Sequence, residues 1–167
     1  MRKKLFLPII LLLLLTAGLT VSAEEQETYI SETVREACSE YGEQYGICPE
    51  LLMAIVETES NGIPTAENGG CMGLMQISQR WHKDRMKRLG VTDIFDERGN
   101  ILVGTDYLAE LRDKHGDMAM VLIVYNGDSR AKDFYKTGYI SGYALKIMQR
   151  SAELEEINER EVMEDVH

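Results

Sequence analysis

The hydrophobic positions of the chain predict short helices separated by glycine and asparagine. Ser31 is a plausible N-cap for a first helix that runs to about Tyr45, with apolar residues along one side. A second helix is predicted over 49–60, because it starts with proline and is followed by Asn61 and a glycine. Because the second helix has no internal breaker, we expect it to be regular over its whole length.

The rest of the pattern is also helical, with loops expected over 61–71 and 90–99. The segment 118–125 is apolar on every side, which predicts a helix at the centre of the domain, since a strand there would have no partner. Gly104 allows close approach in the helix before it. The predicted later helices are a basic one from a Ser78 cap to about Leu89, an amphipathic one from Ile101 to His115, the apolar one, and stretches over 129–135 and 141–160. This pattern predicts an all-α single domain of about six or seven helices, with at most a minimal β element.

The first residues have the layout of a secretory signal peptide. A basic start over 1–4 precedes an apolar run over 5–15, and Ala23 offers a cleavage site after small residues. The competing interpretation is an uncleaved membrane anchor, because weakly apolar residues continue beyond the run and approach the roughly 20 residues of a spanning helix. We therefore expect the protein outside the cytoplasm, and anchored in the membrane if 1–23 is retained.

The charge of the chain argues against nucleic acid as a partner. The net charge is −10, and loss of the signal peptide would make it more negative by three, since that segment carries three basic residues and no acid. Such a chain repels nucleic acid and anionic lipid unless a local basic patch overrides the field. The segment 80–88 is the nearest to such a patch. It is either a solvated helix face or a surface that helps to hold an anionic polymer; its basic residues are Arg80, Lys83, Arg85, Lys87 and Arg88.

The cysteines indicate neither a metal site nor a cofactor. Cys38, Cys48 and Cys71 permit at most one internal disulfide and leave one thiol over. No Cys-x-x-Cys pair occurs, and the three histidines are scattered along the chain. We expect no cofactor and no metal.

Glu59 is the acidic residue whose position most needs a chemical explanation. At about 100° per residue, Leu52, Ile55 and Val56 form an apolar stripe on the second helix. Glu59 falls inside this stripe, whereas Glu57 falls on the opposite side. A buried unpaired charge is costly, so Glu59 either pairs with a basic side chain or lies at the rim of the core. Alternatively, desolvation and the negative end of its own helix keep it protonated, as in a general acid.

The motifs around Glu59 resemble a known family. They are Glu59-Ser60, Gly73-Leu74-Met75-Gln76-Ile77, Val124-Tyr125-Asn126 and Tyr143 in a late helix. In this order and at these separations, they resemble the catalytic domain of the soluble-lytic-transglycosylase (SLT) type, which has a lysozyme-like fold. The resemblance implies a catalytic domain over 48–150, preceded by a leader and first helix over 24–47 and followed by an acidic C-terminal helix or tail over 151–167.

The resemblance implies a peptidoglycan lytic transglycosylase, a carbon–oxygen lyase, with Glu59 as its acid and base. Glu59 would protonate the glycosidic oxygen between N-acetylmuramic acid and N-acetylglucosamine. It would then act as base on the muramoyl 6-hydroxyl, and the product would be a 1,6-anhydro sugar. The implied partner is the glycan strand of the cell wall, with no nucleic acid and, once the signal is cleaved, no membrane.

The other motif residues acquire roles from the same resemblance. Gln76, with the backbone over 73–75, would line the glycan groove, and Met75 would offer an apolar contact to a sugar face. Tyr125 and Tyr143 would set the orientation and protonation of Glu59, and Asn126 would hold an acetamido group. For Met75 and Tyr125 the alternative is packing in the core.

Three positions depart from the family pattern. Val124 stands where the family usually has alanine before Tyr-Asn, which adds bulk to a buried helix. A serine that the family places between the glutamate and the glycine motif has no clear counterpart, and Asn68 lies nearest to it. Cys71 beside the motif is either a small buried hydrophobe or a half-cystine with one of the other cysteines.

The reaction itself has alternatives at this stage. Ordinary glycosidases use two carboxyl groups, and Asp93, Asp96 and Glu97 lie in a loop that could reach the groove, though none has the apolar setting of Glu59. The lack of an evident second carboxylate favours the transglycosylase over a hydrolytic muramidase. A further alternative is an idle wall-binding module of an envelope-spanning secretion or conjugation apparatus. The presence of Glu59 argues against it, although such an apparatus remains a possible partner for an enzyme.

Overall fold

Seven α-helices and one small hairpin make up residues 30–164, which are the residues that this computed structural model describes. The predicted signal peptide over 1–23 lies outside them. The elements in chain order are α1 (Glu32–Tyr45), α2 (Pro49–Ser60), β1 (Glu67–Asn68), β2 (Cys71–Met72), α3 (Gln79–Leu89), α4 (Glu97–His115), α5 (Met118–Tyr125), a 3₁₀ helix (Ser129–Asp133), α6 (Phe134–Thr137) and α7 (Gly142–Glu164). The predicted all-α class with a minimal β element is confirmed.

Helix α2 lies at the centre and packs against α1 and α7. Every residue from 51 to 56 is buried, so the helix is enclosed on all sides and not only along the predicted stripe. Pro49 occupies the first helical position, where its missing N–H costs no hydrogen bond. Asn61 ends the helix in the left-handed conformation, with φ of 52°, which asparagine tolerates better than most residues. Both predicted ends of α2 are confirmed.

Helix α5 forms the second buried layer and packs between α4 and α7. Its five residues from 119 to 123 are buried, as the apolar pattern predicts. The Asp117 carboxylate accepts hydrogen bonds from the backbone N–H groups of Ala119 at 2.9 Å and Met120 at 3.2 Å. This side-chain cap fixes where α5 begins, and therefore fixes the position of its last residue, Tyr125.

Two parts of the predicted pattern differ from the structure. The expected loop over 61–71 contains the antiparallel hairpin of β1 and β2, joined through Gly69 and Gly70 at positive φ. Strands of two residues are too short for an apolar alternation to show in a sequence. Helix α4 begins at Glu97 and not after Gly99, because the Asp96 carboxylate caps it by accepting from the Gly99 N–H at 2.7 Å.

The core extends beyond the 48–150 unit on both sides. Val34 of α1 is fully buried against this core, and Leu154 of α7 is almost fully buried in it. Helix α7 continues past its predicted end near 160 to Glu164, and the described residues of its last turn are exposed. None of the helices within 30–164 combines the length and the apolar character that crossing a membrane requires.

Candidate active site

Glu59 lies in the last turn of α2, facing the start of α7. The Tyr143 hydroxyl, in the first turn of α7, donates a hydrogen bond of 2.5 Å to Glu59 Oε1. The two residues are 84 positions apart in the chain, so only the packing of α2 against α7 brings them together. The structure therefore joins two of the residues that the motifs single out.

Burial governs the protonation of Glu59. It raises the pKa of the carboxyl group above its ordinary value, and the Tyr143 hydrogen bond and the charge of Lys146 offset part of this rise. No second carboxylate contributes to the shift among the described residues. The hydrogen-bond partner of Glu59 is the Tyr143 hydroxyl. The structure therefore does not contain the alternative arrangement, in which a basic side chain pairs directly with Glu59.

The two tyrosines near Glu59 act as hydrogen-bond donors. Burial, followed by the charge of Glu59, raises the pKa of Tyr143 far above its usual range, and burial and the same charge raise the pKa of Tyr125. Both phenols therefore keep their protons at any ordinary pH. Tyr125, the last residue of α5, donates to the Met75 carbonyl at 2.8 Å. It thereby ties the end of α5 to the loop that follows the hairpin.

Glu57 differs from Glu59 through its partner. The Arg150 guanidinium of α7 donates to both Glu57 carboxylate oxygens, at 2.6 and 3.1 Å, and the two side chains are only 12% and 11% exposed. The helical projection placed Glu57 opposite an apolar stripe, yet α2 is enclosed on all sides. What separates the two acids is that Glu57 has a cation and Glu59 has a neutral donor.

Residues 73–76 form a tight loop that presents Gln76 beside Tyr125. Gln76 has a φ of 48°, an uncommon left-handed conformation for a residue with a side chain. Its side-chain amide donates to the carbonyls of Ala66 at 3.1 Å and Gly73 at 2.9 Å, which holds the loop against the segment before the hairpin. These bonds use the amide nitrogen. The Gln76 side chain also lines a groove beside Tyr125.

Met75 is placed differently from the prediction. Its side chain is fully buried, and its sulfur packs against Gly104 of α4 so closely that a Cβ at that glycine would clash with it. The predicted contact between the Met75 side chain and a sugar face is therefore wrong, and core packing is its role. The predicted close approach at Gly104 is confirmed. Met75 contributes to the site through its backbone carbonyl, which receives the Tyr125 bond.

Asn100 is a site-forming residue that the sequence reasoning missed. It is fully buried in α4, accepts from the Met75 N–H at 2.8 Å and donates to the carbonyls of Met72 at 2.9 Å and Ile94 at 2.8 Å. A Cβ at Gly73, which also has positive φ, would clash with the Asn100 amide. The available signal was a lone asparagine next to the apolar positions of α4, and it lay at the junction between the predicted loop over 90–99 and the predicted helix from Ile101.

Asn68 and Asn126 are both exposed. Asn68 lies on β1 and pairs with Cys71 across the hairpin, while Asn126 caps the C-terminus of α5 directly after Tyr125. Their predicted contacts with substrate stay predictions. Asp96 and Glu97, two of the acids considered as second carboxylates, belong to the start of α4, and Asp93 accepts from the Phe95 N–H at 2.9 Å.

A groove of about 450 Å³ opens beside Tyr125. Gln76 and Tyr125 line it from the candidate site, and residues of α3 and α4 line it from the other side, including Trp81, Tyr107 and Glu110. Tyr107 and Tyr125 lie with ring centroids 5.6 Å apart, and Tyr125 borders both the groove and the surroundings of Glu59.

The basic segment over 80–88 is partly neutralised within the protein. Arg85 and Arg88 both donate to Asp106, at 2.8 and 2.6 Å, and Arg85 also pairs with Glu110. These two cations are therefore compensated within the protein, and of the two only Arg85 lines the groove. For the remaining basic residues, Arg80, Lys83 and Lys87, both interpretations of the segment stay predictions.

All three cysteines are free thiols. Burial raises the pKa of Cys38 to about 12. Cys48 lies at the start of α2 and donates towards Glu50 at 3.0 Å and Glu155 at 3.3 Å, and burial and the two carboxylates raise its pKa to about 11. The side chains of Cys48, Glu50 and Glu155 are close enough together to share a cation, and they lie away from the groove.

Comparison with known proteins identifies relatives over most of this structure. The family model of the transglycosylase SLT domain matches residues 36–140. A protein named transglycosylase from Enterobacteria phage PRD1 is 36% identical over 105 residues, which cover 62% of this chain and 38% of the phage protein. A protein of Citrobacter koseri named endo-type membrane-bound lytic murein transglycosylase A is 34% identical over 86 residues, which cover 47% of this chain and 41% of the relative.

A third relative and a solved structure agree with these matches. A protein of Serratia proteamaculans named membrane-bound lytic murein transglycosylase C is 37% identical over 81 residues, covering 44% of this chain and 23% of the relative. An inactive mutant of the lytic transglycosylase Slt from Pseudomonas aeruginosa superimposes with a TM-score of 0.61 at 18% identity, covering 70% of this chain and 23% of that one. The chain thus spans less than half the length of these relatives, and the solved structure shows the same fold.

Proposed function

Since this chain belongs to the transglycosylase SLT domain family, we propose that it is a peptidoglycan lytic transglycosylase that cleaves the β-1,4 bond between N-acetylmuramic acid and N-acetylglucosamine. The observation that carries the proposal is the half-buried Glu59 carboxyl group held by the Tyr143 hydroxyl at 2.5 Å. The names of its relatives support the same reaction class.

Glu59 carries out both proton transfers in this proposal. Its carboxyl group, protonated because burial raises its pKa, gives a proton to the glycosidic oxygen as the bond to muramic acid C1 breaks. The resulting carboxylate then takes the proton of the muramoyl 6-hydroxyl as that oxygen bonds to C1. The product is a 1,6-anhydromuramoyl end, no water is consumed, and Glu59 ends the cycle protonated.

The neighbouring residues are assigned supporting roles. Tyr143 orients the carboxyl group and stabilises its charged form between the two proton transfers, because a phenol that keeps its proton is a donor to either form. Tyr125 and the Met75 carbonyl fix the end of α5 beside Glu59. Gln76, in the loop over 73–76, borders the bound glycan strand. The exposed Asn126 and Asn68 are candidates for contacts with its acetamido groups.

Release of soluble fragments from purified peptidoglycan tests the proposal. We expect wild type to release muropeptides whose muramoyl ends are lighter by one water than those from a muramidase, as read by mass spectrometry. Glu59→Gln should release none while still sedimenting with the wall. Glu43→Gln, the same change at an exposed position of α1, should match wild type. Hydrated ends throughout would indicate a muramidase, and no release at all would indicate a wall-binding module.

We also propose that the enzyme acts outside the cytoplasm, where its substrate lies. The basic and apolar start of the chain and the small residues before Glu24 support export with cleavage after Ala23. N-terminal sequencing of protein recovered from the cell exterior should then begin at Glu24. Recovery of the intact N-terminus in the membrane fraction would indicate the anchored form instead.

Comparing cells with and without the gene for this protein tests whether it serves an envelope-spanning apparatus. If the protein cuts the wall locally for such an apparatus, deletion of its gene should impair assembly of the apparatus and leave overall wall turnover unchanged. Altered turnover across the whole wall, with normal assembly, would contradict that role.

A further inference from the structure

Trp81 is a large apolar side chain in an unusual place for one. It lies in the first turn of α3, and it is 77% exposed, the most exposed of the large hydrophobic residues within 30–164. It is also the only tryptophan in the sequence. An exposed indole adds nothing to the core, and single exposed hydrophobic residues need no function unless they border a site. Trp81 does border one, since it lines the groove beside Tyr125.

The groove is built from aromatic rings that lead away from Tyr125. Tyr107 lies between Tyr125, at 5.6 Å between ring centroids, and His82, at 4.6 Å. His82 is the chain neighbour of Trp81, so rings from three elements border one continuous depression. A glycan strand that lies against Tyr125 therefore has a path towards Trp81.

Charged residues fix the walls without making the groove an anion site. The Arg85 guanidinium lies 4.9 Å from the centre of the Tyr107 ring and is hydrogen-bonded to Asp106 and Glu110. Its charge is thus compensated locally. The Glu110 side chain is 64% exposed at the groove, where its carboxylate accepts hydrogen bonds. A phosphate backbone would meet this carboxylate and the acidic field of the whole chain.

The occupant that fits is a neutral sugar ring. A pyranose presents an apolar face of C–H groups that stacks on an aromatic ring, and equatorial hydroxyls that donate to carboxylate and amide oxygens. Aromatic rings supply the first kind of contact here, while Glu110 and Gln76 supply the second. The volume of about 450 Å³ lies within the roughly 300–1,000 Å³ of small-molecule sites.

We propose that this groove binds the glycan strand beyond the bond that is cleaved, with Trp81 as the platform on which an N-acetylated sugar stacks. The proposal rests on the proposed function for the identity of the strand, and what it adds is a binding role for Trp81, a residue outside the motifs. Trp81 contributes to holding the polymer and not to the proton transfers at Glu59.

The single tryptophan makes the site directly observable. An exposed indole emits at long wavelength, and covering it with a sugar moves the emission to shorter wavelength. We expect a saturable shift when a soluble oligomer of four N-acetylglucosamine units is added to wild type, and no shift with glucose at the same concentration. An emission spectrum unaffected by the oligomer would overturn the proposal.

Kinetics of wall digestion provide the second arm. Trp81→Ala should raise the peptidoglycan concentration at half-maximal rate by about tenfold, the scale of one lost aromatic stacking contact, while the maximal rate changes less than about twofold. Trp81→Phe should recover most of the binding. Tyr135→Ala removes an aromatic ring of similar exposure, 68%, from outside the groove and should behave as wild type. A lowered maximal rate with unchanged half-saturation would overturn the assignment.

The two proposals fail in different ways. If anhydromuropeptides are released and Trp81 emission is insensitive to the oligomer, the groove assignment is wrong and the transglycosylase stands. If emission responds and Trp81→Ala weakens sedimentation with the wall, but nothing is released, the groove stands and the enzymatic proposal is wrong.

Discussion

Replacing Asn100 by alanine should destabilise the protein and displace the loop over 73–76. The Asn100 side chain makes three hydrogen bonds to backbone groups, with the N–H of Met75 and the carbonyls of Met72 and Ile94, all between 2.8 and 2.9 Å. Alanine leaves all three groups without their partner. Because the Met75 carbonyl also accepts a hydrogen bond from the Tyr125 hydroxyl, movement of this loop reaches the candidate site.

The magnitude follows from which of these groups water can reach. The bonds to Met75 and Ile94 are buried, whereas the bond to Met72 is only partly buried, so water can replace the amide there. An unsatisfied buried group costs about 1–3 kcal/mol. Two such groups give a loss of about 2–6 kcal/mol in the free energy of unfolding. A domain of this kind has roughly 5–15 kcal/mol in total.

Asn100→Asp tests the same contacts with a side chain of equal size. The aspartate keeps an acceptor for the Met75 N–H, but its second oxygen faces the carbonyls of Met72 and Ile94, and it can donate to one of them only when the carboxyl group is protonated. The folded state therefore binds that proton more tightly than the unfolded chain does, so the folded pKa is raised. Stability of this variant should be highest in acid and should fall as pH rises from about 3.9 through the folded pKa.

Urea unfolding followed by far-ultraviolet circular dichroism, at several pH values, measures both effects. Asn68→Asp, the same change at an exposed position, serves as control and should follow wild type across the pH range. A loss below about 1 kcal/mol for Asn100→Ala would refute the hydrogen-bond argument, because that is less than one unsatisfied group costs. An Asn100→Asp variant whose stability follows the control across pH would refute the assigned geometry.

Three further predictions concern other contacts. Tyr143→Phe removes a donor that lowers the pKa of the proposed acid, so the basic limb of kcat/KM against pH should move to higher pH; an unmoved limb would count against this role. Gly104→Ala should cost about 1–3 kcal/mol in urea unfolding through overpacking of a buried methionine, whereas Gly142→Ala, with open space around it, should be nearly neutral. Arg150→Ala should cost about 3 kcal/mol by leaving Glu57 without its cation in a largely buried place; adding Glu57→Gln should restore most of that stability, and no recovery would mean the loss is one of packing.

Helix positions were predictable where local signals act alone. The ends of α2 and α5 follow from a proline, an aspartate cap and the residues after them, all of which act within one turn. The start of α4 was missed because Gly99 and Asn100 are poor helix formers, and tertiary contacts of Asn100 outweigh that preference. The hairpin was missed because two-residue strands carry no periodic pattern.

The candidate site shows the same division. The position of Glu59 in an apolar environment was predictable from α2, but its contrast with Glu57 depends on Arg150, which is 93 residues further along the chain. Met75 was misassigned because a motif fixes which residues are present and not which way each side chain points. Its orientation is set by Gly104 on another helix, a contact that no local pattern reveals.

The contact between Glu59 and Tyr143 also has a consequence for biosynthesis. A ribosome releases α2 long before α7, since Tyr143 follows Glu59 by 84 residues. Until α7 docks, α2 lacks one of the two helices that it packs against, and Glu59 lacks its Tyr143 donor, so the carboxyl group of a nascent or half-folded chain does not have its folded environment. The proposed acid therefore acquires its folded environment, and with it the raised pKa, only when synthesis and folding have reached the seventh helix.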